Sequence, residues 1–284
     1  MFRASRTHCL LVLFLAAACC GGPIAAGADK FPGQMSPEQL RALGFEPLIQ
    51  NDSLAAWNVS PWHVNHWTIR DGLISYDGKA SGKGKSQDNS LWTKKSYGDL
   101  VMYAEWRMPE KPAMKPTPIV LYNGNFLMGD DGKRVTRPHL DAGDSGLMFR
   151  GTQNCQANIW SQELGSGEIN GYRTNQKLSQ TIRRACIPIK NADRPLGEWN
   201  AFLITLKGSR MTTELNGERV IDTPDLPDLP KSGPIGLQHH GKRVSLQPLA
   251  REHVQYQVVE FHLPLRRPAS KCRASGAQVK GNRG

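Results

Sequence analysis

The stretch WNAFLITLKGSRMTTELNG, residues 199–217, decides the fold class. Trp199 to Lys207 is apolar and β-branched, Gly208 punctuates it, and Arg210 to Leu215 alternates apolar with polar residues. Asn216-Gly217 then stands before Val220, and this pair favours the two-residue turn that joins antiparallel strands. Working outward, similar runs recur at Trp67 to Ser75, Leu100 to Arg107, Gly146 to Arg150, Ile235 to Gln238 and Val254 to Leu263. Gly, Pro, Asn and Asp separate them. Ser36-Pro37-Glu38-Gln39 has the form of a capping box with proline at the first helical position, and Gly44 follows as a stop, so one short helix is expected over roughly residues 37 to 43. Many strands, one helix and no alternation of strand with helix predict an all-β chain of two packed antiparallel sheets. Residues 108 to 144, with prolines at 109, 112, 116, 118 and 138, read as a long loop excursion, a feature that is often functional.

The formal charge is +11, from 36 Lys and Arg against 25 Asp and Glu. Residues 1 to 28 hold Arg3 and Arg6 and no acid, and residues 266 to 284 hold Arg266, Arg267, Lys271, Arg273, Lys280 and Arg283 and no acid. Removing these two and six bases leaves +3 for the body. A body so nearly neutral argues against a nucleic-acid groove. Arg3 and Arg6, the apolar run from Cys9 to Cys20 and Ala26-Gly27-Ala28 have the layout of a secretory signal, which predicts a secreted or periplasmic protein. The run is too short to span a membrane. A lipid anchor at Cys19 or Cys20 is disfavoured, since alanine stands three positions before each. The expected domains are therefore a signal at 1–28, a lead with the short helix at 29–43, a β-sandwich at 44–265 and a disordered basic tail at 266–284, able to hold the protein loosely to anionic envelope polymers.

Export would favour disulfides. Without Cys9, Cys19 and Cys20 there remain Cys155, Cys186 and Cys272. Cys155 with Cys186 would close a loop of about thirty residues, a cross-link contributing about 3 to 4 kcal/mol, with Cys272 left over in the tail. No cysteine pair has the spacing of a zinc site.

An ordered set of segments carries a resemblance. Gly44-Phe45, Leu54-Ala55-Ala56-Trp57, Trp67 to Ile74, Leu91-Trp92-Thr93, Glu105-Trp106-Arg107, Asp144 to Arg150, Gly197 to Asn200, Leu215-Asn216-Gly217 and Gly233 to Gly241 together resemble the 3-keto-disaccharide hydrolase domain family over roughly residues 44 to 263. The resemblance implies a concanavalin-like β-sandwich, or jelly roll, whose concave sheet faces a sugar. It also implies an activity on glycosides already oxidised to a ketone at C3. A C3 ketone acidifies the proton on C2, and the C1 substituent can then be expelled, so the chemistry needs a base, a stabiliser for the enolate oxygen and an acid.

Strand alternation nominates residues that share a face. Among these His240 is the expected base, its imidazole titrating near neutrality. Glu105 is the second base or the residue that orients a water, and Arg150, grouped with Met148 and Gly146 by parity, is expected to hold the enolate. Arg107, Gln156, Asn158 and Gln238 are the expected substrate-binding side chains. Some relatives use a divalent ion, so calcium or manganese is a possible cofactor, with His139, Asp141 and Asp144 as an oxygen-rich cluster. Trp57, Trp67 and Trp199 are expected to pack, and Trp62 with them. The sequence departs from the family at Asp144, where relatives have asparagine, at Gln156, where an acid is expected nearby, and at Gly167 to Gly171. A carbohydrate-active hydrolase is the first reading, and a non-catalytic sugar-binding module is the alternative.

Overall fold

The computed structural model describes residues 35, 37–49, 52–70, 73–77, 89–108, 112–239, 260–262 and 264–266, all within the larger of the chain's two compact units, Phe31–Gly284. In chain order the elements are α1 (Pro37–Ala42), β1 (Glu46–Pro47), β2 (Trp57–Asn58), α2 (Pro61–His66), β3 (Trp67–Arg70), β4 (Leu73–Tyr76), β5 (Leu91–Tyr97) and β6 (Leu100–Arg107). There follow β7 (Ala113–Pro118), β8 (Thr136–Asp141), β9 (Asp144–Phe149), β10 (Thr152–Trp160), α3 (Asn170–Arg173), α4 (Gln180–Ala185), β11 (Trp199–Lys207), β12 (Arg210–Leu215), β13 (Glu218–Asp222), β14 (Gly233–Leu237), β15 (Glu260–His262) and β16 (Pro264–Arg266). The expected signal at 1–28, Ser36, most of the expected strand before Glu260, His240 and the tail beyond Arg266 lie outside the described residues.

Two antiparallel sheets form the sandwich. The larger runs β13-β12-β11-β6-β15-β4-β3, with β16 beside β6 and β1 beside β16, and the smaller runs β10-β9-β14-β5-β2. One apolar cluster fills the space between them: Met102, Ala104, Trp106, Phe202 and Ile204 from the larger sheet meet Leu147, Phe149, Ala157, Ile159, Ile235 and Trp57 from the smaller. Alternation fixes this, since even positions of β6 and β11 face the core and odd positions face outward. On the outer face of the larger sheet, Tyr103 and Ala201 pack with Met35, Leu40 and Phe45, so the N-terminal lead covers that face. The expected short helix is present as α1 and ends at Gly44, whose φ of 80° lets Phe45 N close onto Leu40 O at 3.0 Å.

Three expectations change. The run from Trp67 to Ser75 is two strands, with Arg70 opposite Leu73. The excursion at 108–144 contains a hairpin, β7 against β8, as a two-stranded sheet of its own with Pro116 facing Pro138. A two-stranded sheet is all edge, so it tolerates prolines that a central strand could not. Arg266, assigned to the tail, is the last residue of β16 and pairs with Val101. Asn216 and Gly217, with φ of 53° and 84°, make the expected turn between β12 and β13.

Candidate functional site

Gln156 and Asn158 project from the outer face of the smaller sheet, because their neighbours Cys155, Ala157 and Ile159 belong to the core. Gln156 Nε2 lies 2.7 Å from Gln238 Oε1, 3.1 Å from Asn158 Oδ1 and 3.2 Å from the Ser145 carbonyl. Asn158 Nδ2 in turn reaches Glu168 Oε2 at 3.5 Å, and the Arg173 guanidinium donates to the other oxygen of Glu168. The chain of groups runs from half-buried Gln238 to fully buried Glu168. Glu168 arrives there because residues 167 and 168 lie alongside β10: Gly167 N donates to Asn158 O at 2.7 Å and Asn158 N to Glu168 O at 3.0 Å. Just beyond, Gly171 meets β10 closely, since a Cβ on it would stand 2.4 Å from Asn154 Cα.

Burial pushes the Glu168 carboxyl up to about 7, against the opposite pull of the Arg173 guanidinium and the Asn158 amide. Arg173 also donates to Gly124 O at 3.3 Å and Asn170 Oδ1 at 3.1 Å and stacks over Phe126, 4.7 Å from the ring centroid. The tip of the β7–β8 hairpin is thereby tied to the same network.

A second group of side chains meets this network at its open end. Trp62 stacks on His66 at 4.1 Å and meets His239 edge-on at 4.7 Å, and Tyr76 lies 5.1 Å from His239. The Tyr76 hydroxyl donates to the Asp144 carbonyl at 3.0 Å, and Ser145 Oγ donates to the Gln238 carbonyl at 2.9 Å. His66 Nδ1 is 2.9 Å from Asp77 Oδ2, both side chains being about one-fifth exposed. A carboxylate at Nδ1 holds the imidazole with Nε2 available to take or give a proton, the arrangement of an oriented base.

Of the expected site residues, Gln156, Asn158 and Gln238 come together. Glu105 and Arg107 do not join them. They are odd positions of β6, on the outer face of the larger sheet, with the whole core between. Tyr103 donates to Glu105, and Arg107 lies over Trp199, 4.9 Å from the ring centroid. Arg150 is also elsewhere. β9 stops at Phe149, and Arg150 turns with φ of 55°, so parity no longer groups it with Met148. Its guanidinium is buried, donating to the Pro230 carbonyl at 2.8 Å and to Asp99 at 3.2 Å. His240 lies outside the described residues.

Cys155 and Cys186, expected to be bridged, are free buried thiols, and Cys155 Sγ rests 3.9 Å from Met211 Sδ. Burial pushes both thiols up to about 12. For a divalent ion, no group of three or more His, Cys, Asp or Glu gathers among the described residues. His139 contacts the Ser161 carbonyl and Asp141 is held by Lys115 Nζ at 2.6 Å. These residues do not fit such an ion. No helix among the described residues is long and apolar enough to cross a membrane.

Sequence reasoning missed His66, Asp77 and Glu168. The first two had a signal. Asp71-Gly72 is itself a turn pair, and a hairpin centred there sets Trp67 opposite Tyr76 and hence His66 beside Asp77. Glu168 had none, since only the close approach of residues 165–168 to β10 brings it to Asn158.

The model of the 3-keto-alpha-glucoside-1,2-lyase-like domain matches residues 44–250. The chain belongs to that family. Membership places it among carbohydrate-active proteins, as the resemblance implied. Two solved structures from Parabacteroides distasonis ATCC 8503, both provisionally assigned as glycosyl hydrolases, are similar to it. One is 18% identical with a TM-score of 0.45, covering 79% of this chain and 99% of that one. The other is 13% identical with a TM-score of 0.48, covering 84% and 99%. A carbohydrate-binding module, CBM66 from Bacillus subtilis, is 13% identical with a TM-score of 0.38, covering 76% and 96%. No curated protein matches the chain.

Proposed function

We propose that this family member cleaves glycosides that carry a ketone at C3 of the sugar ring, by elimination of the C1 substituent followed by hydration. The observation that carries the reading is the meeting, around Gln238 and His239, of a hydrogen-bonded amide chain with a histidine held by a carboxylate. A base takes the C2 proton and the electron pair moves onto the C3 oxygen. Collapse of that enolate restores the ketone, forms a C1–C2 double bond and breaks the bond from C1 to the glycosidic oxygen, which takes a proton. Water then adds, its hydroxyl to C1 and a proton to C2. Two proton-transfer groups serve these steps: His240, which follows Gln238 by two positions in the chain, and His66, oriented by Asp77. Glu105, Arg107 and Arg150 are not needed. In the same reading residues 1–28 are removed on export.

A 3-keto-glucoside of 4-nitrophenol tests this. The purified protein should release nitrophenol, and His66→Ala should lower kcat at least about 100-fold. If sugar binds but nothing is released, with or without added divalent metal, the protein is a sugar-binding module.

A further inference from the structure

The β7–β8 ribbon is turned inside out. Its pairs alternate between two faces, Met114 with Leu140 and Pro116 with Pro138 on one, Lys115 with His139 and Thr117 with Arg137 on the other. A ribbon packed for stability turns its apolar face to the body, because burying that face offsets the cost of ordering the chain. Here Met114 and Leu140 are 63% and 50% exposed, and the polar face turns inward, where His139 contacts the Ser161 carbonyl and Arg137 pairs with Glu163. Between that face and the segments 162–164 and 188–191 lies a cleft of about 250 Å³. Tyr122, 81% exposed, and Ile189, 71% exposed, form part of its wall.

The lining selects the kind of ligand. Its charges cancel in pairs, Arg137 with Glu163 and Lys190 with Glu218, so none of them is left over for a charged partner. What remains is neutral. Thr117 Oγ1, the Tyr122 hydroxyl and the Gln162 side-chain amide make no hydrogen bond to any described residue. Hydroxyls and amides both donate and accept, which matches a ligand rich in hydroxyls, and the Tyr122 ring and Ile189 match the C–H face of a sugar. The volume lies a little under the ~300 Å³ at the lower end of small-molecule pockets, enough for about one sugar ring. From this lining we infer that the cleft is a second saccharide site, which holds a neutral sugar bearing no ketone and takes no part in bond cleavage. It stands apart from the amide chain, because Gln162 lies four positions past Asn158 and beyond the end of β10 at Trp160. The inference shares with the proposed function the class of ligand, but neither the ketone nor the chemistry.

Maltotriose and cellotriose, the α- and β-linked glucose trimers, are titrated into the purified protein and followed by calorimetry. At least one should bind saturably, with a dissociation constant of about 1 mM or tighter. Tyr122→Ala should weaken that binding about tenfold, and Gln162→Ala should weaken it severalfold. Tyr122 is too exposed for its truncation to unfold the chain, so an unchanged thermal midpoint shows the loss to be local. His66→Ala, which alters the proposed reaction site, should bind the trimer as the parent does, and Tyr122→Ala should release nitrophenol from the 3-keto-glucoside as the parent does. Failure of both trimers to bind saturably, or equal binding by the parent and either cleft variant, overturns the inference and leaves the proposed function untouched. Trimer binding that depends on Tyr122, in a protein that releases no nitrophenol, keeps the second site and removes the proposed reaction.

Discussion

Arg150 is the residue whose meaning changes most between sequence and structure. Parity along Gly146 to Arg150 suggested a fork aimed at a substrate oxygen, but the strand ends one residue earlier and the side chain turns inward. There it fastens β9 to two loops, through the Pro230 carbonyl and through Asp99, whose carboxylate also accepts from Gly208 N at 2.8 Å. Truncation removes a buried guanidinium and both of its bonds, and leaves a cavity in its place. Arg150→Ala is therefore expected to cost about 2–3 kcal/mol of stability by urea denaturation, while kcat per folded molecule stays within a factor of a few. A large loss of kcat at unchanged stability would return Arg150 to the chemistry.

At the scale of elements, the β7–β8 hairpin is the part least legible beforehand. Its prolines and scattered apolar residues match no single period, and it reads as loop because a two-stranded ribbon buries little of either face. What holds it is remote in sequence. Arg173 donates to Gly124 O, and Arg183 donates to Asn125 and, through Nε, to the Arg173 carbonyl at 2.9 Å. Arg183→Met should free the tip while sparing the sandwich, so trypsin should cut after Lys133, Arg134 or Arg137 about tenfold faster with a nearly unchanged thermal midpoint. Equal cleavage of variant and parent would mean that the hairpin is held by other contacts. Elements dominated by local pattern behave differently. β6, β11 and β12 have the bounds expected from sequence, because each is a β-rich run closed by glycine or a turn pair. The short helices α2, α3 and α4 escaped notice because four to six residues show too little of a 3.6 period to separate them from loop.

For the whole molecule, burial of acids sets a pH dependence of stability. Glu168 is pushed up to about 7 from 4.5 and Asp193 up to about 6 from 3.8, desolvation being the leading cause for both. Between the unfolded and folded values the folded chain holds protons that the unfolded chain has released. Stability from these two groups is thus fully present below about pH 4 and is lost as pH rises toward 7. The Asp193 oxygen that accepts from Ser166 N at 2.8 Å has a counterpart in asparagine, so Asp193→Asn keeps that bond and removes the titration. Relative to the parent, the variant's urea midpoint should gain between pH 5 and pH 8. A constant difference across that range would show that Asp193 does not titrate there.

Sequence alone determined the class of fold, the short helix, the turn at Asn216-Gly217 and, through the ordered motifs, the family. These depend on period, turn chemistry and spacing, all written locally along the chain. It also determined which side chains within one strand share a face. Which face of the sandwich that is, however, depends on how two sheets pack, and only the tertiary structure decided it. Glu105 and Gln156 each project out of their own strand away from the core, and because their strands lie in opposite sheets they point in opposite directions. The buried acid beside the amides was likewise decided by packing: Glu168 reaches Asn158 across ten positions because the following segment lies against β10, with Gly171 in close contact with Asn154.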